Sequence, residues 1–521
     1  MSSPRLVHHF LERAAQGGPA RDFLVHEKER ASYGSVEAGA NRVARVLIAE
    51  GMARGDRVAL LAANSRFYVE AYYGTLKAGC IAVPLNTAAD GPGLAACLGR
   101  CGARALLVGR RFAKPTRAAF LAGAGPDLVL GEEFSQVEGL PGARSFDLAE
   151  RASGESAEPP GLALHDDDVA SIVFTSGSTA TPRGATLSHR NLVANTGSIV
   201  SYLELRPDDS ILALLPFYYV YGKSLLNTHA AAGGRVVIEN RFMFPNTALD
   251  TLEREACSGL AGVPSTFAIL LNRSTLADRA LPHLRYVTQA GGAMSPALTR
   301  RLMEALPGQA VFVMYGATEA SARLSYLPPA DLPRKLGSIG VAIPGVELRV
   351  LRADGSECDV GEEGEIVARG PNIMSGYWED PEATRSVLDE DGYHTGDLAR
   401  RDEDGFLFVV GRRKDFIKAG AHRISAQEIE EAILEQPEVH EAAVVGVADE
   451  ILGEKIAAFV VLRDPAVCAP QALIKALKRR LPSYKVPSVL EILDDLPKNE
   501  SGKIMKRSLV QQFARDSGAS T

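Results

Sequence analysis

The sequence predicts an α/β fold with a large N-terminal domain and a small α+β C-terminal domain. The chain has 521 residues, more than one hydrophobic core usually holds, so at least two domains are expected. Up to about residue 335, short apolar runs alternate with longer segments of helical spacing. Apolar runs of this length suit strands covered on both faces, so we expect parallel-rich sheets with flanking helices.

Individual runs predict the elements of this first part. Residues 37–51 have the apolar spacing of an amphipathic helix. Strands are expected around Val58, Leu106, Val173, Leu214, Val236 and Val313. Helical segments between such strands are typical of parallel sheets.

The pattern of apolar and polar residues changes at about Gly337. The segments "GVELRVLRADGSEC" and "GEIVARG" alternate apolar and polar residues and contain an Asp-Gly turn signal, which predicts antiparallel hairpins. The run "DEDGFLFVVGRRKD" adds a further strand. We therefore expect a β-rich subdomain over about residues 337–411, within a large domain of residues 1–413.

Residues 414–521 predict the small α+β domain. Ser425 and Glu428 have the spacing of a capping box at the start of "SAQEIEEAIL", which predicts a helix. Two strands, "EAAVVGVA" and "KIAAFVVL", follow, then a basic amphipathic helix, "ALIKALKRRL", and a strand near "SVLEIL". The charged run "GRRKDFIKAG" is the expected linker between the two domains.

Composition excludes several classes of protein. Hydrophobic residues make up 46% and charged residues 23%, which is typical of a globular protein. The net charge of −7 argues against a nucleic-acid-binding protein, whose binding face would be basic. No apolar signal core and no long uncharged apolar run occur, so no integral membrane segment is expected. Six cysteines without a CxxC pair or zinc spacing indicate a reduced, cytoplasmic protein, with Cys97 and Cys101 in the core.

The run "FTSGSTATPRGATLSHRN", residues 174–191, follows a short apolar strand. Its glycines and hydroxyl residues would let donors approach phosphate oxygens closely, and Arg183 adds a cation. On composition alone, a solvated turn is an equal alternative. A Walker-type P-loop is excluded, because the "GKS" fragment at residues 222–224 has Phe217 where the first glycine of that motif should lie.

Residues 174–184 resemble the phosphate-binding signature of the adenylate-forming superfamily, which includes acyl-CoA synthetases, luciferases and nonribosomal-peptide adenylation domains. They depart from it at Ala180, where glycine is usual, and at Arg183, where lysine is usual. Four further motifs of the superfamily follow in its order: "MYGATE", "YHTGDL", "GRRKDFIKAG" and "LPKNESGKIMK". The chain is identified as a member of this superfamily, closest in pattern to carboxylate–CoA ligases.

The resemblance implies a two-step reaction that uses ATP, Mg²⁺ and the thiol of CoA or of a carrier protein's phosphopantetheine. A carboxylate attacks the α-phosphorus of ATP to give acyl-adenylate and pyrophosphate, and the thiol then displaces AMP. The chain ends soon after its last motif, so we expect a diffusible CoA or a separate carrier protein as acceptor. Loading of a carrier protein or an amine is the main alternative; luciferase-like chemistry and nucleotide binding without catalysis are others.

The resemblance also implies the residues that bind the nucleotide. The β- and γ-phosphates are expected at Thr175, Ser176, Gly177, Ser178, Thr179 and Arg183. Thr318 is expected to reach the α-phosphate and Glu319 to bind Mg²⁺, because a carboxylate is a hard oxygen ligand. The adenine pocket is expected to contain Gly292, Ala293, Tyr315 and Gly316. The alternative is that this motif only closes a turn after a strand.

Other expected roles concern the ribose, the acceptor and the movement of the small domain. Asp397 is expected to bind the ribose hydroxyls beside Arg412, and a salt bridge between the two could coexist with that role. Lys503 is expected to enter the site for adenylation, where an ammonium offsets the repulsion between carboxylate and phosphate. Lys414 is expected at a hinge about which the mobile small domain rotates between the two steps. The thiol channel is expected to contain Lys418, Gly420 and Ala421.

The segment "LPFYYVYGKS", residues 215–224, resembles the start of the acyl pocket. That pocket is expected to contain Tyr218, Tyr219, Val220, Gly291 and Ala317. The segment holds no acidic residue, so an α-amino acid, whose ammonium would be buried unpaired, is not expected. Its tyrosines predict a largely apolar pocket for a fatty, short aliphatic or aryl acid. Lys223 could pair with a second substrate anion, but we expect it to point outward into solvent.

Overall fold

Four β-sheets and the helices around them make up the part of the chain that the structure describes. This computed structural model describes residues 4–133, 135, 137–175, 182–413, 415–419, 422–449, 453–463, 469–498 and 504–516. The strands are, in chain order, β1 Asp22–His26, β2 Glu29–Ser32, β3 Arg57–Leu61, β4 Ile81–Pro84, β5 Ala105–Val108, β6 Leu128–Gly131, β7 Arg144–Asp147, β8 Val169–Thr175, β9 Arg183–Ser188, β10 Ser210–Ala213, β11 Arg235–Ile238, β12 Gly259–Gly262, β13 Tyr286–Gln289, β14 Ala310–Tyr315, β15 Ser325–Leu327, β16 Val341–Ala342, β17 Glu347–Leu351, β18 Glu363–Arg369, β19 Gly376–Tyr377, β20 Leu388–Asp389, β21 Gly392–Arg401, β22 Leu407–Arg412, β23 Phe416–Ala419, β24 His422–Ser425, β25 Val439–Asp449, β26 Gly453–Leu462 and β27 Val489–Ile492. The helices are α1 His9–Gly17, α2 Tyr33–Ala49, α3 Arg66–Lys77, α4 Gly91–Cys101, α5 Ala113–Leu121, α6 Leu148–Ser153, α7 His189–Tyr202, α8 Val220–Ala232, α9 Pro245–Arg254, α10 Pro264–Arg273, α11 Pro296–Ala305, α12 Pro381–Arg385, α13 Ala426–Leu434, α14 Pro470–Leu477 and α15 Lys506–Asp516.

Two large sheets contain most of the strands before residue 345. One has nine strands in the order β16-β15-β14-β13-β12-β10-β11-β1-β2, and the other has eight in the order β19-β9-β8-β4-β3-β5-β6-β7. The central strands of both sheets pair in parallel, whereas antiparallel strands lie toward the ends. This arrangement, with helices on the sheet faces, confirms the predicted α/β class.

One cluster of buried side chains joins the two large sheets through α2, α3 and α8. Leu60 of β3 and Ile211 of β10 belong to different sheets, and both contribute to it. Strand β3 buries nearly its whole length, as the continuous apolar run predicts for a strand covered on both faces. Helix α2 begins where the Ser32 hydroxyl accepts the backbone N–H of Ser35, a cap that stabilises a helix by about 1 kcal/mol.

The predicted strands and helices of the first part are confirmed. The strands expected from sequence correspond to β3, β5, β8, β10, β11 and β14, and the helix expected over residues 37–51 is α2. Cys101 is buried in the core beside β3 and β5, and Cys97 is half-buried and packs against the same cluster.

Two smaller sheets follow along the chain. The first is antiparallel, with the order β17-β18-β21-β20 and with β22 paired to β21, and contains the predicted hairpins. The second has the order β24-β23-β26-β25 with β27 parallel to β26. Ser425 caps α13 by accepting the Glu428 N–H, and α14 ends at Leu477, earlier than the basic run predicted. The domain boundary at residues 413 and 414 stays a prediction. None of the helices that the structure describes has the length and apolarity to cross a membrane.

Candidate active site

The motif residues that the structure describes lie where three of the sheets meet. Thr175 ends β8 and Arg183 begins β9, so both lie at one edge of the eight-stranded sheet. Tyr315 ends β14 of the nine-stranded sheet, and Glu319 follows in a 3₁₀ turn, Thr318–Ala320. Asp397 lies on β21 of the third sheet. Side-chain hydrogen bonds connect these three edges.

Asp397 connects the nine-stranded sheet to the third sheet. Its Oδ2 accepts a hydrogen bond of 2.5 Å from the Tyr315 hydroxyl, and its Oδ1 accepts one of 2.8 Å from Nε of Arg412. Asp397 and Arg412 face each other across the β21–β22 pair, which is why the two side chains meet. Burial and the neighbouring Asp397 charge raise the pKa of Tyr315 well above its usual value, so the phenol stays a donor.

The Asp397–Arg412 salt bridge that the sequence left as an alternative is therefore present. Asp397 is buried, whereas half of the Arg412 side chain is exposed. The charge of Asp397 raises the pKa of Arg412, so the guanidinium stays charged. Each carboxylate oxygen can accept a second bond, so the pair leaves capacity for ribose hydroxyls.

Glu319 connects the nine-stranded sheet to the eight-stranded sheet through a tyrosine that the sequence did not single out. The hydroxyl of Tyr377 donates to Glu319 Oε1 at 2.7 Å. Tyr377 lies on β19 opposite Ala185 of β9, two residues from Arg183, and the Arg183 guanidinium lies 5.5 Å from the centre of its ring. Burial and the Glu319 charge raise the pKa of Tyr377, so this phenol also remains a donor.

The residues present fit a magnesium ion. Glu319 is half-exposed, and within the described ranges its Oε1, but not its Oε2, accepts a side-chain hydrogen bond. A carboxylate oxygen held ready at the edge where phosphates are expected is the ligand that Mg²⁺ takes in phosphoryl-transfer sites. Arg183 on the neighbouring strand supplies a positive charge for the same oxygens.

The turn after β14 is tight and strained. Ser321 and Ala322 both have positive φ, 59° and 130°, which is costly for residues with a Cβ. Gly316 allows the turn to close, because a Cβ there would lie 2.0 Å from the carbonyl oxygen of Ala322. The turn thus holds Thr318 and Glu319 in one place against the edge of the sheets.

The remaining predicted site residues are distributed as follows. Gly291, Gly292 and Ala293 are exposed and follow β13, where the side-chain amide of Gln289 donates to the Gly292 carbonyl at 2.8 Å. Ala317, between Gly316 and Thr318, is half-buried, and Lys418 is exposed on β23. Outside the described residues lie Ser176, Gly177, Ser178, Thr179, Lys414, Gly420, Ala421 and Lys503.

The predicted acyl segment borders a narrow cleft with room for about one water molecule in this conformation. Tyr218 and Val220 line the cleft, and Tyr219 precedes the first residue of α8. Most of the other lining residues carry a polar side-chain atom, and three of them are aliphatic, so the largely apolar character of the acyl pocket stays a prediction. The remaining lining residues are Tyr72, Ser171, Val173, Leu187, Leu192, Asn195, Thr196, Lys223, Ser224, Asn227 and Ser321.

The expectation that Lys223 points into solvent is wrong. Only 6% of Lys223 is exposed, and its ammonium donates to the Tyr68 hydroxyl at 2.6 Å and lies 3.8 Å from the centre of the Tyr72 ring. Both tyrosines belong to α3, which packs across α8 in the cluster between the two large sheets. Nothing near residue 223 in the sequence indicates this packing, because the covering helix lies about 150 residues earlier.

The comparisons with known proteins agree with this geometry. Residues 11–378 match the family model described as "AMP-binding enzyme", and residues 428–503 match "AMP-binding enzyme C-terminal domain". The chain belongs to the AMP-binding enzyme family. The predicted superfamily is thereby confirmed.

Relatives within the AMP-binding enzymes span nearly the whole chain. The chain is 34% identical over 502 residues to a feruloyl-CoA synthase of Amycolatopsis sp, covering 96% of this chain and 98% of that protein. It superposes on ATP-bound MatB from Rhodopseudomonas palustris with a TM-score of 0.87 and 31% identity, covering 97% and 99% of the two chains. It also superposes on the anthranilate CoA ligase AuaEII in complex with anthranoyl-AMP, with a TM-score of 0.90 and 25% identity, covering 99% and 98%.

Proposed function

We propose that the protein is an AMP-forming carboxylate–CoA ligase. One observation carries the proposal: the Glu319 carboxylate, the Arg183 guanidinium and the Asp397 carboxylate converge where three sheets meet, joined by Tyr377 and Tyr315. Such a set can bind a metal–triphosphate and a ribose side by side. The similarity to a feruloyl-CoA synthase and to an anthranilate CoA ligase supports the same reaction.

In the first step, a carboxylate oxygen of the acid attacks the α-phosphorus of ATP. The bond between that phosphorus and the bridging oxygen to the β-phosphate breaks, and the products are acyl-adenylate and pyrophosphate. Two anions must approach each other, so cations and hydrogen-bond donors around the reacting phosphate supply most of the catalysis. Arg183 would hold the leaving pyrophosphate, and Thr318 would donate to the α-phosphate.

Glu319 is the residue that would hold Mg²⁺, which when bound neutralises charge on the phosphate oxygens. Tyr377 fixes one oxygen of that carboxylate and thereby orients the other. Asp397 would accept from the ribose hydroxyls while hydrogen bonds from Arg412 and Tyr315 hold it in position. Lys503 would stand between the two reacting anions, where an ammonium lowers their repulsion.

In the second step, the thiolate sulfur of CoA attacks the acyl carbonyl carbon, and AMP leaves with the electron pair of the acyl–oxygen bond. The small domain turns about Lys414 between the steps, so that Lys418, Gly420 and Ala421 face the path of the thiol. This rotation would turn a different face of the small domain toward the nucleotide site, so that one site serves both reactions. A cytoplasmic location, expected from the cysteine pattern, stays a prediction.

The test is a pyrophosphate-release screen over a panel of fatty, short aliphatic and aryl acids, run with and without CoA. We expect release with one chemical group of acids, and conversion to the acyl-CoA only when CoA is present. Pyrophosphate release without CoA consumption, together with acylation of a carrier protein or an amine, would favour the alternative acceptor. No release with any acid would contradict the proposal.

Two variants separate the steps. Lys503→Ala should slow ATP–pyrophosphate exchange sharply while ATP binding, measured by calorimetry, stays nearly unchanged. Lys414→Pro should keep acyl-adenylate formation and lose thioester formation, because proline fixes the backbone at the hinge. Equal loss of both steps in Lys414→Pro would argue against a hinge at that residue.

A further inference from the structure

A buried lysine lies beside the predicted acyl pocket. Lys223 follows Val220 by three residues on α8, so the two side chains are neighbours on one face of the helix, and both line the cleft. Only 6% of Lys223 is exposed. Lysine is rarely buried to this extent unless it is paired with an acid.

No carboxylate compensates the charge of Lys223 in the part of the chain that the structure describes. Its ammonium forms no ion pair within 4.0 Å there, and its contacts are the Tyr68 hydroxyl and the faces of two tyrosine rings. Tyr68 in turn donates to the Phe217 carbonyl at 2.9 Å, so its hydroxyl can only accept from Lys223. An ammonium has three donors, and this arrangement satisfies one of them.

Two further features of the cleft indicate a ligand for the remaining donors. The hydroxyl of Tyr72 is buried and forms no hydrogen bond of normal geometry among the described residues, although the Asn227 side chain lies near it, and its ring lies against Lys223. Asn227 and Ser224, one helical turn or less from Lys223, also line the cleft. Buried polar groups without partners are rare in folded proteins, so an unfilled donor set of this kind is typical of a binding site.

The cleft extends from this donor set to the nucleotide edge. Ser321, which lines the cleft, lies two residues after Glu319 in the strained turn, and Tyr218 and Val220 of the predicted acyl pocket line the same cleft. An acid whose reacting carboxylate lies near the nucleotide would place its far end toward Lys223, and its entry requires the lining side chains to move apart, because the cleft has room for about one water molecule in this conformation. The burial of Lys223 lowers its pKa, because desolvation disfavours the ammonium, and a carboxylate bound beside it would favour the ammonium again.

We infer that Lys223 binds a second carboxylate at the far end of the substrate, so that the acids activated by this protein are dicarboxylic. The inference rests on the proposed function, because it places the reacting carboxylate at the nucleotide edge. The Tyr72 hydroxyl is the second donor to the distal carboxylate, and Asn227 and Ser224 border the same end of the cleft. Because Lys223 is already removed from water, its attraction for a carboxylate placed beside it is stronger than it would be in solvent.

The experiment compares matched pairs of acids in the pyrophosphate-release assay with the full-length protein. The pairs are glutarate against pentanoate, adipate against hexanoate, and terephthalate against para-toluate, with the ω-hydroxy acid of each chain length as a third arm. For the pair whose dicarboxylate is the best substrate, we expect kcat/KM to favour the dicarboxylate by about 10- to 150-fold. This is the fold-change that corresponds to the free energy of one hydrogen bond to a charged group. In Lys223→Met, which keeps length and removes charge, that preference should disappear or reverse, mainly through KM for the dicarboxylate.

Two further variants test whether the preference depends on this part of the cleft. Lys475→Met, at an exposed position of α14, should leave the preference unchanged. Tyr72→Phe removes only the hydroxyl and should lower the preference severalfold even if Lys223→Met does not fold. A wild-type enzyme that activates acids without favouring the second carboxylate, or that favours the ω-hydroxy acids equally, would overturn the inference while leaving the ligase function standing. Absence of pyrophosphate release with every acid would instead refute the ligase function.

Discussion

The hydrogen bond from Tyr377 to Glu319 gives the sharpest prediction about the nucleotide site. Tyr377→Phe removes the hydroxyl that donates to Glu319 Oε1 at 2.7 Å and keeps the ring beside the Arg183 guanidinium. The partner is a charged carboxylate in a partly buried site, so the lost bond is worth about 1.5–3 kcal/mol. If that energy positions Glu319 for the metal, kcat/KM for adenylation falls about 10- to 150-fold.

The assay is ATP–pyrophosphate exchange, measured as a function of Mg²⁺ concentration at saturating acid. We expect Tyr377→Phe to need more Mg²⁺ for half-maximal rate, because the Glu319 carboxylate is no longer held in one orientation. Tyr484→Phe is the matched control, since Tyr484 is 43% exposed and should leave both quantities unchanged. An unchanged Mg²⁺ dependence in Tyr377→Phe, with a rate within twofold of wild type, would refute the positioning role.

Three other predictions follow from the structure. Asp397→Asn keeps the size of the side chain but removes the charge that pairs with Arg412, so KM for ATP should rise about tenfold in an ATP titration. Gly316→Ala places a Cβ where only 2.0 Å separates it from the Ala322 carbonyl oxygen; displacement of the turn that holds Glu319 should lower kcat about 10²-fold in the exchange assay. Burial lowers the pKa of His229 to about 4, against 6.5 in the unfolded chain, so protonation favours unfolding as the pH falls through this interval. The free energy of unfolding should therefore drop by about 3 kcal/mol for this residue between these pH values, as measured by denaturant titration.

Each of these predictions has an outcome that contradicts it. An unchanged KM for ATP in Asp397→Asn would remove the ribose role and leave a structural salt bridge. Full activity in Gly316→Ala would mean that the turn relaxes without moving Glu319. His229→Gln should flatten the pH dependence of stability, and a slope equal to that of wild type would assign the acid sensitivity to other groups.

The fold class and the family could be predicted because their signals are local. Apolar runs such as β3 and β5 are continuous along the chain, and burial on both faces of a strand requires that pattern. The motifs of the family are also short, so their residue types and order can be recognised before any folding is considered. The reaction class follows from the same motifs, and the CoA-ligase relatives confirm it.

The contacts within the site could not be predicted, because they depend on how distant strands pair. Tyr377 lies 58 residues after Glu319, and the two meet only because β19 adds to the edge of β9. The Asp397–Arg412 contact is partly predictable from sequence. The two residues are 15 apart, and a hairpin in one register places them opposite each other. The sequence could therefore offer that salt bridge as an alternative, but it contained no signal for the tyrosine.

The predicted exposure of Lys223 is wrong for a related reason. Local sequence determines that α8 is a helix, but the helix that covers residue 223 is α3, on the other side of a long segment of chain. Lysine side chains are exposed in most proteins, so the general rule predicted exposure at residue 223. Reading such a residue correctly requires knowing which helices pack between the two large sheets.

The burial of Lys223 also affects the thermal stability of the protein. Until an anion binds, the folded chain buries a lysine that is hydrated in the unfolded chain, either as a desolvated ammonium or after loss of its proton, and both cost free energy. Lys223 therefore lowers the stability of the free enzyme. Replacement by methionine would relieve that cost and raise the melting temperature. A search for thermostable variants would therefore select changes at residue 223, and each gain would be accompanied by a loss of discrimination among acids.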